Sequence, residues 1–263
     1  MTQILRVSNI CKKLGELQVL RNVSFEIFEG STVGLIGPNG AGKTTLFNII
    51  NGFIKPDSGS IIFDGKDITK WKTWKISNAG IGRTFQMCKP LNSLTVFENC
   101  ALPLAARQSS VSALDISKYT LANKDDQAWR GKVIDVLKDV GLFDKMHSYP
   151  TELSFGELKN LELGRALVTD PKLLLLDEPF SGLSVNEVEN LSSLIRDLIE
   201  KRKDPPITIF IIDHRVRHLV KLVDFMIVLH NGEIIAKGSP VEICRNEKVI
   251  EVYLGEHKHE SQN

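Results

Sequence analysis

A glycine-rich loop restricts the fold more than any other feature of the chain. Its eight residues fit the pattern G-x-x-x-x-G-K-[ST] and are Gly37, Pro38, Asn39, Gly40, Ala41, Gly42, Lys43 and Thr44. In such a loop, successive backbone N–H groups point inward at phosphate oxygens. A buried strand is predicted before it (Thr32–Ile36) and a helix after it (Lys43–Ile50), which places the phosphates at a helix N-terminus. The pattern therefore predicts a nucleotide site in which Lys43 reaches the β- and γ-phosphates and Thr44 binds Mg²⁺.

Size and composition are those of an ordinary globular protein. The chain has 263 residues, of which 42% are hydrophobic and 25% charged, enough for one large domain or a domain with a subdomain. The 33 basic and 32 acidic residues nearly cancel, which argues against a broad nucleic-acid-binding face. The four cysteines are scattered without a C-x-x-C pair, so a reducing cytosol is expected rather than a zinc site or disulfide framework. No stretch reaches the length of a membrane span, so any work at a membrane is expected to need partners.

A run of leucines ending in two carboxylates is the second strong signal. Leu173–Leu176 predicts a parallel strand buried on both faces. The following Asp177 and Glu178 are costly at the end of such a strand unless they bind a metal or take part in chemistry. Beside a phosphate loop, Asp177 is the expected Mg²⁺ ligand and Glu178 the expected base for water. A turn at Ser181–Ser184 and a helix at Val188–Lys201 are predicted next.

A second buried strand, Ile207–Ile212, ends at Asp213 and His214. Ligands in open α/β sheets lie at the carboxyl ends of the strands, so His214 is a candidate site residue. Beyond it, Asn231-Gly232 predicts a type I′ hairpin turn. A helix through Val249–Leu254 and a frayed polar tail from Glu256 are expected to end the chain.

The pattern changes after Gln86. From 87 to 164 strand patterns give way to helical ones, with helices predicted at Val96–Ala106 and Trp129–Val140. The polar stretch between them, Gln108–Gln127, predicts an exposed helix or loop insertion. The whole segment is predicted to be a helical subdomain.

The next helix is predicted to open with a capping box, in which Ser154 accepts from the first turn and Glu157 reaches back. A serine and a glycine (Gly156) at a helix N-terminus can also form a phosphate site. The structural and functional interpretations are compatible.

Taken in order, these motifs resemble those of the ATP-binding cassette (ABC) ATPases over nearly the whole chain. The matching segments are the phosphate loop, Gln86, Leu153–Glu157, Leu173–Glu178, Ser181–Ser184 and His214. Within that family, the segments Gly80–Gln86, Leu94–Asn99 and Val249–Gly255 are similar to the cytoplasmic subunit of branched-chain amino acid importers. The urea and amide importers are also similar.

The resemblance implies a role for each matching residue. ATP is bound by the loop residues already named together with Thr45, and Lys43 also serves catalysis. Mg²⁺ is held by Thr44 and Asp177 and sensed by Gln86. Glu178 polarises the attacking water and His214 contacts the γ-phosphate. Ser154 and Gly156 serve the ATP of a second cassette.

The resemblance also implies a fold and partners. The expected fold is α/β, a P-loop NTPase core of mixed or parallel sheet with an antiparallel β subdomain and a helical subdomain. Residues 1–263 would form one nucleotide-binding domain, with its core in 1–86 and 165–240, the helical subdomain in 87–164, and a C-terminal helix and tail in 241–263. The implied partners are a second ABC subunit, membrane permease subunits and, indirectly, an extracytoplasmic solute-binding protein. The implied location is peripheral, on the inner face of the cell membrane.

Four positions depart from the family pattern. Phe155 replaces a glycine of the commonest signature, although aromatic residues are usual there in this importer branch. Leu14 stands where an aromatic residue usually stacks on adenine, Glu157 where glutamine is typical, and Ser184 where aspartate or asparagine is usual. The lysine, both carboxylates and the histidine are intact, so an active ATPase is expected.

Three alternatives use the same loop. An ABC ATPase acting on nucleic acid or ribosomes usually has coiled-coil insertions, two cassettes or basic extensions, and this neutral chain has one cassette. A kinase or GTPase would not explain Leu153–Glu157 or His214. A non-hydrolysing structural cassette is disfavoured by Glu178 and His214. No nucleic-acid partner is expected.

Overall fold

The structure, a computed structural model, describes residues 2–86, 89–107, 127–202 and 204–260. The strands are β1 Gln3–Leu14, β2 Leu17–Phe28, β3 Thr32–Ile36, β4 Ser58–Phe63, β5 Lys66–Asp67, β6 Ile81–Arg83, β7 Leu173–Asp177, β8 Thr208–Ile212, β9 Phe225–His230 and β10 Glu233–Gly238. The helices are α1 Lys43–Ile50, α2 Thr73–Ala79, α3 Val96–Arg107, α4 Gln127–Asp139, α5 Phe155–Leu167, α6 Val185–Lys201, α7 Val216–Leu219, α8 Pro240–Arg245 and α9 Glu247–Glu260. Two 3₁₀ turns span Phe143–Lys145 and Pro150–Glu152.

A six-stranded sheet in the order β10-β9-β3-β8-β7-β6 carries the candidate site. All its neighbouring strands are parallel except β9 and β10. In the register, Ile212 at the end of β8 faces Leu35 on one side and Asp177 on the other. The loops that follow β3, β7 and β8 therefore leave the sheet at one edge, where ligands bind in open α/β sheets.

Alternation along the central strands divides the molecule into two cores, because successive strand side chains point to opposite faces. Leu174 and Leu176 of β7 pack in one core with residues of α3, α4, α5 and α6. Leu173 and Leu175 pack in the other, with residues of β1, β2, β4 and α1. Both faces of the parallel strands are covered, which explains why β3, β7 and β8 are buried throughout.

The second sheet is antiparallel, in the order β2-β1-β4-β5. Its longest pair, β1 and β2, is joined by a tight turn and contains several register shifts. The turn predicted at Asn231-Gly232 is also present, with φ of 47° and 79°. Positive φ at both central residues is what a type I′ hairpin turn requires.

Several predicted boundaries are wrong. The helix expected from Val188 begins at Val185, because the Ser184 hydroxyl accepts from the Glu187 N–H and caps it there. Neither α2 nor β6 was predicted. The C-terminal helix continues to Glu260, through part of the tail that was expected to fray from Glu256.

The insertion predicted at Gln108–Gln127 lies outside the described residues except for Gln127, which begins α4. Within the described part of the chain, no helix combines the length and the apolar character needed to cross a membrane.

Candidate active site

The predicted phosphate loop connects β3 to α1 at the carboxyl edge of the main sheet. Its glycines at 37 and 42 have φ of 154° and 103°. A Cβ atom on Gly37 would lie 2.0 Å from the Leu229 carbonyl oxygen, and one on Gly42 would lie 2.7 Å from Cδ2 of Leu20. A Cβ on Gly40 would meet nothing within 4 Å. Packing therefore requires the outer two glycines, whereas Gly40 faces open space.

Lys43 lies inside this loop. Its side chain is buried, and Nζ donates to the carbonyl oxygens of Gly37 at 2.6 Å and Pro38 at 2.8 Å. Thr44 is exposed and Thr45 half-buried in the first turn of α1. Asn39, Gly40 and Thr44 are therefore accessible to a ligand, whereas the ammonium group of Lys43 lies beneath the loop.

Asp177 ends β7 and is paired with a buried arginine. Nη2 of Arg83 lies 2.7 Å from Oδ2 of Asp177, and both side chains are only 4% exposed. Nη1 of Arg83 donates to Oδ1 of Asn48 at 2.8 Å, which connects the pair to α1. Arg83 was not predicted as a site residue and lay only within the matching segment Gly80–Gln86. The available signal was a cation at the end of the short strand β6.

Glu178 follows β7 in a left-handed conformation with φ of 47°. This conformation is uncommon for a residue with a side chain and is concentrated at functional sites. Its carboxylate Oε2 accepts from Nε2 of Gln86 at 2.8 Å and lies 3.9 Å from Nδ1 of His214. The structure thus brings three of the four predicted catalytic side chains together from three separate segments, while the fourth, Lys43, lies in the phosphate loop.

His214 has a second acidic neighbour. Its Nδ1 also lies 3.9 Å from Oδ1 of Asp213, which is fully buried. The Asp213 carboxylate is held by two backbone donors, the N–H of Phe180 at 3.2 Å and that of Arg215 at 2.8 Å. Asp213 therefore ties the loop that follows β7 to the loop that follows β8, which carries His214.

The predicted capping box at the start of α5 is confirmed. The Ser154 hydroxyl accepts from the N–H of Glu157 at 3.3 Å, and the Glu157 carboxylate accepts from the N–H of Ser154 at 2.9 Å. The other Glu157 oxygen lies 2.6 Å from Nζ of Lys145. Burial raises the pKa of the Glu157 carboxyl, but Lys145 and Ser154 outweigh it and hold the pKa below its ordinary value. The negative charge that departs from the family pattern is thus matched by a neighbouring cation.

Ser154 and Gly156 lie in a different place from the catalytic side chains. They line a cavity of about 130 Å³ together with Glu187 and Asn190, and neither Lys43 nor Glu178 is among its lining residues. Ser154 and Gly156 are therefore predicted site residues that line a cavity separate from Lys43 and Glu178.

The residues present fit Mg²⁺ held largely by a nucleotide. Among the described residues there is no cluster of three or more His, Cys, Asp or Glu side chains suited to a metal. Thr44 offers an exposed hydroxyl, and Asp177 offers a carboxylate of which Oδ2 is already paired with Arg83. Mg²⁺ is usually bound by one or two carboxylates together with waters and substrate phosphates, so this small donor set is sufficient.

Two further departures have a structural explanation or consequence. Ser184 is the N-cap of α6, as described above, and serine serves that position as well as aspartate. Leu14 ends β1 with 46% of its surface exposed.

The family of the chain is shown by a profile match. The family profile of the ABC transporters matches residues 20–181, more than half of the chain. The chain belongs to the ABC transporter family. As a member it is an ATPase, and the predicted family and α/β fold class are confirmed. A second profile, that of the branched-chain amino acid ATP-binding cassette transporters, matches residues 233–259 of the cassette.

Related proteins match over almost their whole length. A probable branched-chain amino acid transport ATP-binding protein, LivG, of Methanocaldococcus jannaschii is 36% identical over 259 residues, which cover 97% of this cassette and 98% of the relative. The crystal structure of an ATP-binding cassette of an ABC transporter in its ADP conformation is 34% identical, with a TM-score of 0.81 and coverage of 97% and 100%. A dimeric ATP-binding cassette in a post-hydrolysis state with ADP and Pi is 25% identical, with a TM-score of 0.74 and coverage of 90% and 99%.

Proposed function

We propose that this cassette binds and hydrolyses ATP to power the import of branched-chain amino acids, or of a related small solute, through separate membrane subunits. The observation that carries the catalytic part is the convergence of Gln86 and His214 on Glu178. The solute class is supported by the C-terminal profile match and by the name of the relative from Methanocaldococcus jannaschii.

In the proposed binding mode the loop from Gly37 to Thr45 holds the phosphates of ATP. Its backbone N–H groups and the N-terminus of α1 supply the donors, and Lys43 reaches the β- and γ-phosphates. Thr44 and Asp177 would hold Mg²⁺, with Gln86 close by. Bound Mg²⁺ supplies positive charge to the β- and γ-phosphate oxygens.

In the proposed reaction Glu178 accepts a hydrogen bond from the attacking water and polarises it toward the γ-phosphorus. Water oxygen bonds to phosphorus as the bond to the ADP oxygen breaks, and the proton that the water loses passes to the Glu178 carboxylate. Gln86, already 2.8 Å from Glu178, orients the carboxylate and the water. His214 donates to a γ-phosphate oxygen.

Two cassettes are needed in the proposed mechanism. Ser154 and Gly156 would contact the ATP bound to a second cassette, which explains why they lie apart from the Glu178 cluster. The dimeric relative with ADP and Pi supports such an assembly. ATP would favour the closed pair because its γ-phosphate bridges both half-sites, and hydrolysis would reopen it. The second subunit is either an identical chain or a related one.

The remaining parts of the chain have proposed roles in coupling. Residues 1–86 and 165–240 form the nucleotide-binding core, and the helices within 87–164 pass movement from Gln86 to membrane permease subunits. Residues 241–263 form the C-terminal helix and tail. The cassette would lie peripherally on the cytoplasmic face of the membrane, and an extracytoplasmic binding protein would deliver the solute.

A non-transport ABC ATPase acting on nucleic acid or ribosomes is the alternative. The near-neutral charge and the match of residues 233–259 to the importer profile favour the transporter. Co-purification separates the two, because the importer subunit is expected to emerge with integral membrane proteins and the alternative with nucleic acid or ribosomes.

The direct test is reconstitution. The cassette, its partner cassette and the permease subunits in proteoliposomes are expected to accumulate labelled leucine only with Mg-ATP and the binding protein. The matched variant Glu178→Gln should assemble and bind ATP without driving uptake. Hydrolysis without uptake of leucine, isoleucine, valine, urea or short amides would refute the proposed solute classes, and absence of hydrolysis would refute the catalytic assignment.

A further inference from the structure

Two buried charged side chains on α5 contact the backbone that carries Gln86. Lys159 and Glu162 are 5% and 7% exposed. Nζ of Lys159 donates to the carbonyl oxygen of Gln86 at 2.8 Å, and the Glu162 carboxylate accepts from the backbone N–H of Phe85. Residues three apart on a helix lie on one face, so the two side chains bind, from one side, the peptide groups that precede Phe85 and follow Gln86.

Burial of a charged side chain is costly, which indicates that the contacts of Lys159 and Glu162 with the main chain are specific. Burial raises the pKa of the Glu162 carboxyl, although Arg165 and the Phe85 N–H oppose the shift. Arg165 Nη1 lies 3.1 Å from Glu162 Oε2 and 3.5 Å from the carbonyl oxygen of Lys89. A buried charge without partners is strongly disfavoured, and here each side chain is compensated by the backbone near Gln86 or by the neighbouring arginine.

The consequence lies at the catalytic glutamate. Gln86 is fixed by Lys159 at its main chain and donates with its side chain to Glu178 at 2.8 Å. A shift of about 1 Å in a positioning group can lower a rate by about 100-fold. Release of the main chain would therefore move the Gln86 amide away from Glu178.

We propose that Lys159 and Glu162 are positioning residues for hydrolysis, which hold the main chain of Phe85 and Gln86 so that the Gln86 amide stays against Glu178. This inference rests on the proposed function, in which Glu178 activates water. It also gives α5 a second role, because the N-cap of the same helix is Ser154, the residue proposed to meet the ATP of the second cassette. Contact at the start of α5 would thus bear directly on the position of Gln86.

The first test is independent of hydrolysis. Hydrogen exchange of the Phe85 and Gln86 amides is measured by mass spectrometry in the purified full chain. Glu162→Leu, which removes the acceptor, should speed exchange at Phe85 at least tenfold, whereas Glu162→Gln keeps an acceptor oxygen and should change it less than threefold. Glu200→Gln, at an exposed position near the end of α6, is the charge-matched control. Unchanged exchange in Glu162→Leu would overturn the inference even if the cassette hydrolyses ATP.

The second test is a double-mutant cycle in the reconstituted transporter. Lys159→Met should lower kcat for ATP by about 10- to 100-fold with little change in ATP affinity, and Lys159→Arg should retain kcat within about threefold. In a Gln86→Ala background Lys159→Met should lower kcat by less than about twofold, because the effect of Lys159 on hydrolysis depends on Gln86. Lys248→Met, at an exposed position on α9, is the control.

Each outcome of the cycle has a distinct meaning. If Lys159→Met lowers kcat equally in the wild-type and Gln86→Ala backgrounds, or if the fall in kcat only follows a fall in Tm, the role of Lys159 is merely structural and the inference is overturned. A wild-type transporter without hydrolysis would contradict the proposed function, while the exchange measurement would still decide whether the main chain is held. The two failures are therefore distinguishable.

Discussion

The buried ion pair between Arg83 and Asp177 gives the sharpest stability prediction. Its atoms are 2.7 Å apart and both side chains are 4% exposed, so replacement of Arg83 by Met leaves a carboxylate without its cation in a nearly dry site. Removal of one partner from a buried pair costs about 3–5 kcal/mol. The variant also loses the hydrogen bond to Asn48, but methionine recovers part of the packing against Phe47. These two smaller effects oppose each other, so the range is left unchanged.

The assay is urea unfolding of the nucleotide-free chain, followed by tryptophan fluorescence. A loss of about 3–5 kcal/mol in the free energy of unfolding is expected for Arg83→Met, with a fall in Tm of about 6–20 °C. Arg6→Met is the matched control, because its pair with Glu26 spans 3.3 Å with side chains 52% and 47% exposed. Such an exposed pair contributes less than about 1 kcal/mol. Equal losses in the two variants would refute the reasoning.

Three further predictions concern packing, pH and thiol reactivity. Gly37→Ala should destabilise the fold by more than about 2 kcal/mol in urea unfolding and abolish ATP binding, because its Cβ would lie 2.0 Å from a carbonyl oxygen. The pKa of Glu157 is lowered from 4.5 in the folded state, partly by Lys145. The difference in unfolding free energy between wild type and Lys145→Met should therefore be full at pH 6 and shrink as the pH falls below about 4.5. A difference that does not change with pH would contradict this. Burial raises the pKa of Cys100 to about 12, so iodoacetamide at pH 8 should label the exposed Cys244 and leave Cys100 unmodified until the protein unfolds, as read by peptide mass spectrometry.

Local patterns predicted the elements around the site well, because each has a strong signal of its own. The phosphate loop, the leucine strand and the capping box at Ser154 are all fixed by nearby residues. In contrast, α2 buries only Ile76 and β6 has three residues, so neither has a periodicity long enough to detect.

Long-range contacts are the part that the sequence does not reveal. The bond between Arg83 and Asp177 joins residues 94 apart, and that between Lys159 and Gln86 joins residues 73 apart. Charged residues on a helix are usually solvated, so the pattern gave no sign that Lys159 is buried. The contact of Lys159 with the Gln86 main chain becomes visible only when α5 is packed against the segment that precedes α3.

The measurement that tests the central claim most directly is ATP binding and turnover by the Glu178→Gln cassette beside wild type. The amide keeps the shape of the side chain and its acceptor for Gln86 but is a far weaker base. The proposed mechanism predicts ATP affinity within about threefold of wild type, ATP-dependent pairing on a sizing column with an identical or a related cassette, and a steady-state rate of the pair at least about 100-fold lower. Near-normal hydrolysis by this variant would contradict the assignment of Glu178 as the base that activates water.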